Sequence, residues 1–181
     1  MNTVQPLTDP ELISDVLDYL RESNMRNYML FSIGIYTGFR ISDILRFRVR
    51  DVTGTHISIR ERKTKKEKRL MIPSDLRREI KAYVEGRSQH EYLFQSRQGV
   101  NRPIGRSMAY KIMRLIADEF RLDEVGCHTL RKTFGYFHYK KNKDIVLLQN
   151  HFNHSTYKVT LRYIGELQET MDTSMKHFKI F

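Results

Sequence analysis

A small set of residues in this chain has the types and spacing of a phosphoryl-transfer site. His128 and Arg131 stand three apart in "HTLR", which puts them on one helical face. His154 opens "HSTYKVTLRY" and Tyr163 closes it, nine residues on. Arg40 lies in "TGFRISDIL" and Lys63 in "RERKTKKEKR". A tyrosine hydroxyl has a pKa near 10 and is a poor nucleophile at neutral pH. Fixed cations beside it favour the phenolate. A phosphodiester under attack gains charge on its non-bridging oxygens, which two guanidiniums can bind in bidentate fashion without deprotonating. The departing oxygen needs a proton from a lysine or histidine. Such a site wants two Arg, one or two His and a Lys around one Tyr, and it needs no metal if those cations do the electrostatic work.

Taken singly, each residue has a plainer reading. The chain has ten tyrosines, so Tyr163 alone reads as core packing. His128 alone reads as a core histidine bonded to backbone, Arg40 as a surface arginine, and Lys63 as one lysine of several in a solvated turn.

The elements that must position them follow from pattern. "LTDPELISDVLDYL" opens a helix, with Thr8 as cap, Glu11 three later, and Leu12, Ile13, Val16, Leu17 and Leu20 on one face. The apolar stretch "YMLFSIGIY" ends at Thr37-Gly38, and a short helix, "SDILRF", starts just after Arg40. "THISIR" alternates and "KRLMIP" is a second apolar run, which predicts a β-hairpin with a long cationic tip. A helix follows over Leu76, Ile80, Tyr83 and Val84; "EYLF" reads as one more short strand and "SRQGVNRPIG" as a loop. The remainder reads as helical: Met108 to Phe120, Leu130 to Phe137, "DIVLL" behind an Asp144 cap, and a segment capped by Ser155 that carries Tyr163. In the tail, Leu167, Met171, Met175 and Phe178 mark an amphipathic helix.

Bulk properties bound the partner. The 181 residues suit one domain, or one domain with a tail. The net charge of +11 points to a polyanion, nucleic acid before membrane. Residues 60–69 hold seven Lys/Arg against two Glu, a tip suited to a phosphate backbone through Arg60, Arg62, Lys65, Lys66, Lys68 and Arg69. Cys127 is the single cysteine, so no intrachain disulfide forms, which fits a reducing cytosol. No apolar run approaches the roughly 20 residues that span a bilayer, and "MNTVQPLTDP" lacks the regions of a signal peptide.

In this chain order, the residues resemble the catalytic domain of the tyrosine recombinases (phage-type integrases). That family has a "TGxR" segment with an acidic residue shortly after, a lysine on a β-hairpin, HxxR, then "GHS" with the nucleophilic tyrosine nine residues past the histidine. The resemblance covers nearly the whole chain. It implies a mainly α fold with a small antiparallel β-sheet, and DNA cut and rejoined through a 3′-phosphotyrosine at Tyr163, without metal, ATP or other cofactor. It implies that Arg40 and Arg131 hold the non-bridging oxygens, with His154 donating to one of them. Lys63 protonates the leaving 5′-oxygen and His128 accepts the tyrosine proton. Asp43, where the family more often has Glu, bonds an arginine or histidine. Asn153 stands where the family has glycine, a residue that tolerates left-handed backbone better than most. His151 reads as structural.

The resemblance further implies residues 1–165 as catalytic domain and 166–181 as a tail helix that docks in cis or on a neighbouring protomer. The partners are double-stranded DNA and, in the synaptic complex, a homo-tetramer, with no membrane; the setting is cytoplasmic and nucleoid-associated. Most members carry an N-terminal clamp domain, so the chain reads either as a fragment of a longer integrase or as a short recombinase without a clamp. Type IB topoisomerase-like cleavage and religation, and a DNA-binding module without chemistry, are the rival readings. Cys127, His128, His151 and His154 around zinc match no common structural site.

Overall fold

The computed structural model describes residues 4–176 and 178–179. Residues 1–3 of the expected catalytic domain, and 177, 180 and 181 of the expected tail, lie outside them. Helix α1 (Pro10–Ser23) starts at Asp9, whose carboxylate accepts from the Glu11 amide at 2.9 Å, with Pro10 in the first turn. Asp9 is therefore the cap, one residue after the expected Thr8, because proline has no N–H to satisfy and presets the helical φ. Helix α2 (Met25–Thr37) is buried on almost every side, which is why its sequence is nearly unbroken apolar. It forms the centre of the main core.

Gly38 ends α2 in the left-handed conformation, φ 61°. A Cβ there would lie 2.3 Å from the Phe134 ring, so both backbone and space require glycine. The chain then reverses, and Arg40 caps the short α3 (Ile41–Ile44), followed by α4 (Val49–Val52). Strands β1 (His56–Arg60) and β2 (Glu67–Met71) form the expected antiparallel hairpin, with Ile57 opposite Leu70 and Ile59 opposite Lys68. "EYLF" forms only an isolated bridge, Tyr92 with Arg48, followed by another just beyond it, Gln95 with Pro103, rather than a strand. With a loop on either side, Leu93 and Phe94 are buried as anchors instead.

Helices α5 (Ser74–Tyr83), α6 (Arg106–Glu119) and α7 (Cys127–Asn142) complete the main core. A second, smaller cluster forms around Leu148, Phe152 and Ile164, on α8 (Ile145–Phe152) and just after α9 (Tyr157–Tyr163). Asp144 caps α8 as expected, while Thr156 rather than Ser155 caps α9. Helix α10 (Glu166–Lys176) buries no residue. Its acidic edge meets α7 through Lys140, 3.0 Å from both Glu166 and Glu169, and Leu167, Met171 and Met175 remain exposed. Among the described residues, no helix is long and apolar enough to cross a membrane.

Candidate active site

Four elements bring the sequence-predicted residues together. Arg40 arrives by the reversal at Gly38, Lys63 by the hairpin tip, His128 and Arg131 by the first turns of α7, and Tyr163 by the end of α9. A cleft of about 630 Å³ is lined by Arg40, Lys63, His128 and Arg131, with Arg106 and Tyr110 of α6 on its other wall. The Tyr163 hydroxyl stands 3.3 Å from His128 Nδ1.

Phe152 is the floor of this arrangement. Its carbonyl accepts from Arg40 Nη2 at 3.3 Å and from Arg131 Nη2 at 3.0 Å, so one main-chain oxygen registers both guanidiniums. Its ring lies 4.4 Å from the Arg131 guanidinium carbon and packs edge-on against Tyr163. Arg131 is 3% exposed and also donates to the Gly38 carbonyl. Burial pushes its pKa down to about 10, still well above neutrality, so the guanidinium stays charged.

The histidines divide by environment. His154 Nδ1 lies 3.1 Å from the Thr160 hydroxyl oxygen, and that hydroxyl donates to the Thr156 carbonyl at 3.4 Å, which fixes the ring in place. Burial, then Arg131, Arg40 and Lys68, hold its pKa at about 4, so it is neutral at pH 7. His128 is lowered by burial and by Arg131, Lys132 and Arg40. His151 bonds the Thr37 carbonyl at 2.8 Å between Phe39 and Phe134 and is held neutral, as a structural residue. Among the described residues, no group of His, Cys, Asp or Glu side chains is gathered to hold a metal ion, the imagined Cys127–His128–His151–His154 set included.

Two of three placements differ from expectation. The cations were expected to lower the Tyr163 pKa; burial is the larger effect and raises it, with Arg131 and Arg40 opposing. Asp43, fully buried, pairs with an arginine as expected, but that arginine is Arg46, at 4.0 Å, and its carboxylate also accepts the Arg62 amide at 2.9 Å, so it anchors the hairpin tip beside Lys63. Lys68, expected on the DNA-facing surface, turns inward to Glu61 at 3.2 Å and to the His151 carbonyl. Strand alternation explains this, since Ile59 and Lys68 are partners on the inner face while Arg60 and Arg69 point outward.

Glu61 itself escaped sequence reading. It is completely buried and binds Arg40 at 2.7 Å as well as Lys68. Burial opposes its charge, but Thr64, Lys68 and Arg40 outweigh that and hold its carboxyl below the usual range. Extending the alternation Ile57, Ile59 by one step would have found it. Lys132 also went unread: it is 6% exposed, with its ammonium 5.2 Å from the Tyr163 ring centre. Its neighbour Arg131 had absorbed the motif.

A mostly helical domain with a two-stranded sheet, an Arg–His cleft and Tyr163 beside His128 has the fold of tyrosine-type site-specific recombinases. The phage integrase family model matches residues 7–169, and the chain belongs to that family. The probable integrase/recombinase YoeC of Bacillus subtilis (strain 168) is 44% identical over 182 residues, covering all of this chain and 98% of that protein. A tyrosine recombinase of Pseudothermotoga lettingae is 26% identical over 97% of this chain and 66% of its own length. Among solved structures, the XerH site-specific recombinase bound to palindromic difH substrate, a post-cleavage complex, shares the fold with TM-score 0.73 at 18% identity, over 97% of this chain and 54% of that one. The chain thus spans nearly all of the Bacillus relative and only about half to two thirds of the other two.

Proposed function

We propose that this chain cuts and rejoins double-stranded DNA at specific sites through a 3′-phosphotyrosine on Tyr163, with neither metal nor ATP. The observation that carries the reading is the Tyr163 hydroxyl 3.3 Å from His128 Nδ1, beside two guanidiniums that share the Phe152 carbonyl. The Tyr163 oxygen attacks the scissile phosphorus and its proton passes to His128 Nδ1. Arg40, Arg131 and His154 bind the non-bridging oxygens as their charge grows. The bond from phosphorus to O5′ breaks, and Lys63 gives that oxygen a proton. A 5′-hydroxyl from a second duplex then attacks the phosphotyrosine and restores the diester, so the energy of the broken bond is kept.

The basic hairpin tip supports a duplex partner, since Arg60, Arg62, Lys65, Lys66 and Arg69 are all exposed. XerH, a neighbour in fold, is seen with DNA. Residues 1–165 form the catalytic unit in this reading. The tail from 166 onward presents its apolar stripe to a neighbouring protomer in a tetramer on two duplexes, a state that sedimentation on nicked DNA would report.

The experiment is a trapping assay in EDTA with nicked duplexes from the DNA flanking the gene. An SDS-resistant protein–DNA adduct is expected from the natural chain and none from Tyr163→Phe, with DNA binding kept. DNA bound equally by both proteins with no adduct from either would sink the catalytic reading and leave a binding module. A recombinant joint, as opposed to simple religation, separates a recombinase from topoisomerase-like action.

A further inference from the structure

Glu61 gathers donors from three parts of the chain: the reversal that delivers Arg40, the hairpin that delivers Lys63, and the turn that precedes His154. Its Oε1 accepts Arg40 Nη1 at 2.7 Å and Lys68 Nζ at 3.2 Å. Its Oε2 accepts the Thr64 hydroxyl and Asn153 Nδ2, the latter at 2.8 Å. Arg40 precedes α3, Thr64 and Lys68 belong to the hairpin, and Asn153 is the residue before His154. We infer that Glu61 is a positioning residue for strand cleavage, acting through Arg40, and that Asn153 is its matched partner, locking the His154 turn to the hairpin. The inference rests on the proposed cleavage at Tyr163.

The physical case begins with the carboxylate. A fully buried charge is tolerated only when paired and hydrogen-bonded, and here one oxygen takes two cations while the other takes two neutral donors. Arg40 is thereby held at two points, Nη1 on Glu61 and Nη2 on the Phe152 carbonyl, so its guanidinium plane is set before any phosphate arrives. Lys63 lies two residues beyond Glu61, and the hairpin tip is closed by the Glu61 amide on the Lys66 carbonyl and the Lys65 amide on the Glu61 carbonyl. Moving Glu61 therefore moves the Lys63 turn as well.

Asn153 completes the link. It adopts φ 55° and ψ 46° at the end of α8, a conformation that glycine meets at least as easily. Glycine would satisfy the turn but remove the only side-chain donor joining that turn to Glu61 among the described residues. Asparagine is the residue that tolerates this backbone and still reaches across.

The test measures single-turnover adduct formation on the nicked duplex, alongside DNA affinity and thermal unfolding. Glu61→Gln keeps the shape and loses the charge; it is expected to slow adduct formation about ten- to a hundredfold with affinity little changed, as for a misplaced reacting group. If Glu61 acts through Arg40, the Glu61→Gln/Arg40→Ala double variant will be no slower than Arg40→Ala alone. Asn153→Gly, which spares the backbone, is expected to slow the reaction by a smaller factor and to add nothing to Glu61→Gln. Effects of Glu61→Gln and Arg40→Ala that simply multiply, or a folded Glu61→Gln with the natural rate, overturn the inference. Should Glu61→Gln not fold, an Asn153→Gly protein that is folded and cleaves at the natural rate overturns it equally. The absence of any adduct from the natural chain would instead bring down the cleavage reading on which it rests.

Discussion

The phenol of Tyr163 is protonated in the free protein, because burial raises its pKa more than Arg131 and Arg40 lower it. In the proposed reaction its proton must therefore leave during attack, and His128, 3.3 Å away, would take it. Burial and three cations hold His128 below the ordinary histidine range near 6.5, so the neutral, accepting form persists under mildly acidic conditions. Adduct formation is expected to fall, as His128 gains a proton, only at a lower pH than an ordinary histidine base would show; a fall at the ordinary histidine pH or above would contradict the role. Removing the base, His128→Ala, is expected to cost roughly 10²–10⁴-fold in rate. The leaving-group proton gives a separate check. A duplex with sulfur in place of the bridging 5′-oxygen departs as a thiolate, which needs no acid. Lys63→Ala is expected to cleave that substrate at the natural rate and the ordinary one slowly. Lys68→Ala is expected to be slow on both, since it removes one of the two cations on Glu61 without removing the acid.

Helix packing brings these groups into range, and two glycines make it possible. Gly34 lets α2 rest on Leu130 of α7, where a Cβ would come within 2.6 Å of the leucine side chain. Gly135 does the same on the facing side of α7, where a Cβ would meet Ile164 at 2.6 Å and the Phe152 ring at 2.8 Å. Both neighbours are fully buried, so neither has room to yield. Gly135→Ala is therefore expected to destabilise the fold by about 1–3 kcal/mol, read from denaturant unfolding. It should also slow adduct formation, because α7 would be pushed from the segment that carries Tyr163. An unchanged midpoint with natural cleavage would show that this contact relaxes freely.

Over the whole molecule, the charge of +11 is not spread evenly: the outward face of the hairpin presents Arg60, Arg62, Lys65, Lys66 and Arg69. Each phosphate neutralised by such a residue contributes a slope of roughly 0.9 to the fall of log affinity with log salt. Replacing Arg62 or Lys66 by alanine is expected to shallow that slope by about one counterion, whereas Lys68→Ala is expected to leave it unchanged because its charge is already spent on Glu61. Titration of duplex DNA at several salt concentrations checks this, and a shallower slope for Lys68→Ala would place that lysine on the DNA after all. The same scale holds α10, whose acidic edge is tied to Lys140 while Met171 and Met175 face outward, an arrangement that leaves its apolar stripe for another surface.

Local pattern determined a great deal here. Alternation and apolar periodicity gave the hairpin and the run of helices, because burying one face needs only period 2 or 3.6. Chain order, through the resemblance to the recombinases, marked Arg40, Lys63, His128, Arg131, His154 and Tyr163 as candidates, although only His128 and Arg131 share one helix. Tertiary structure alone decided the rest. The balance of burial against cations at Tyr163 depends on what packs around it, and no spacing reports that. The partner of Arg40 is Glu61, brought from 21 residues away by the hairpin, while Asp43, three residues off, points to the Arg62 amide instead. Sequence lists which charges exist; only the packed chain selects which of them meet, because a buried carboxylate keeps its charge only where the fold supplies its cations.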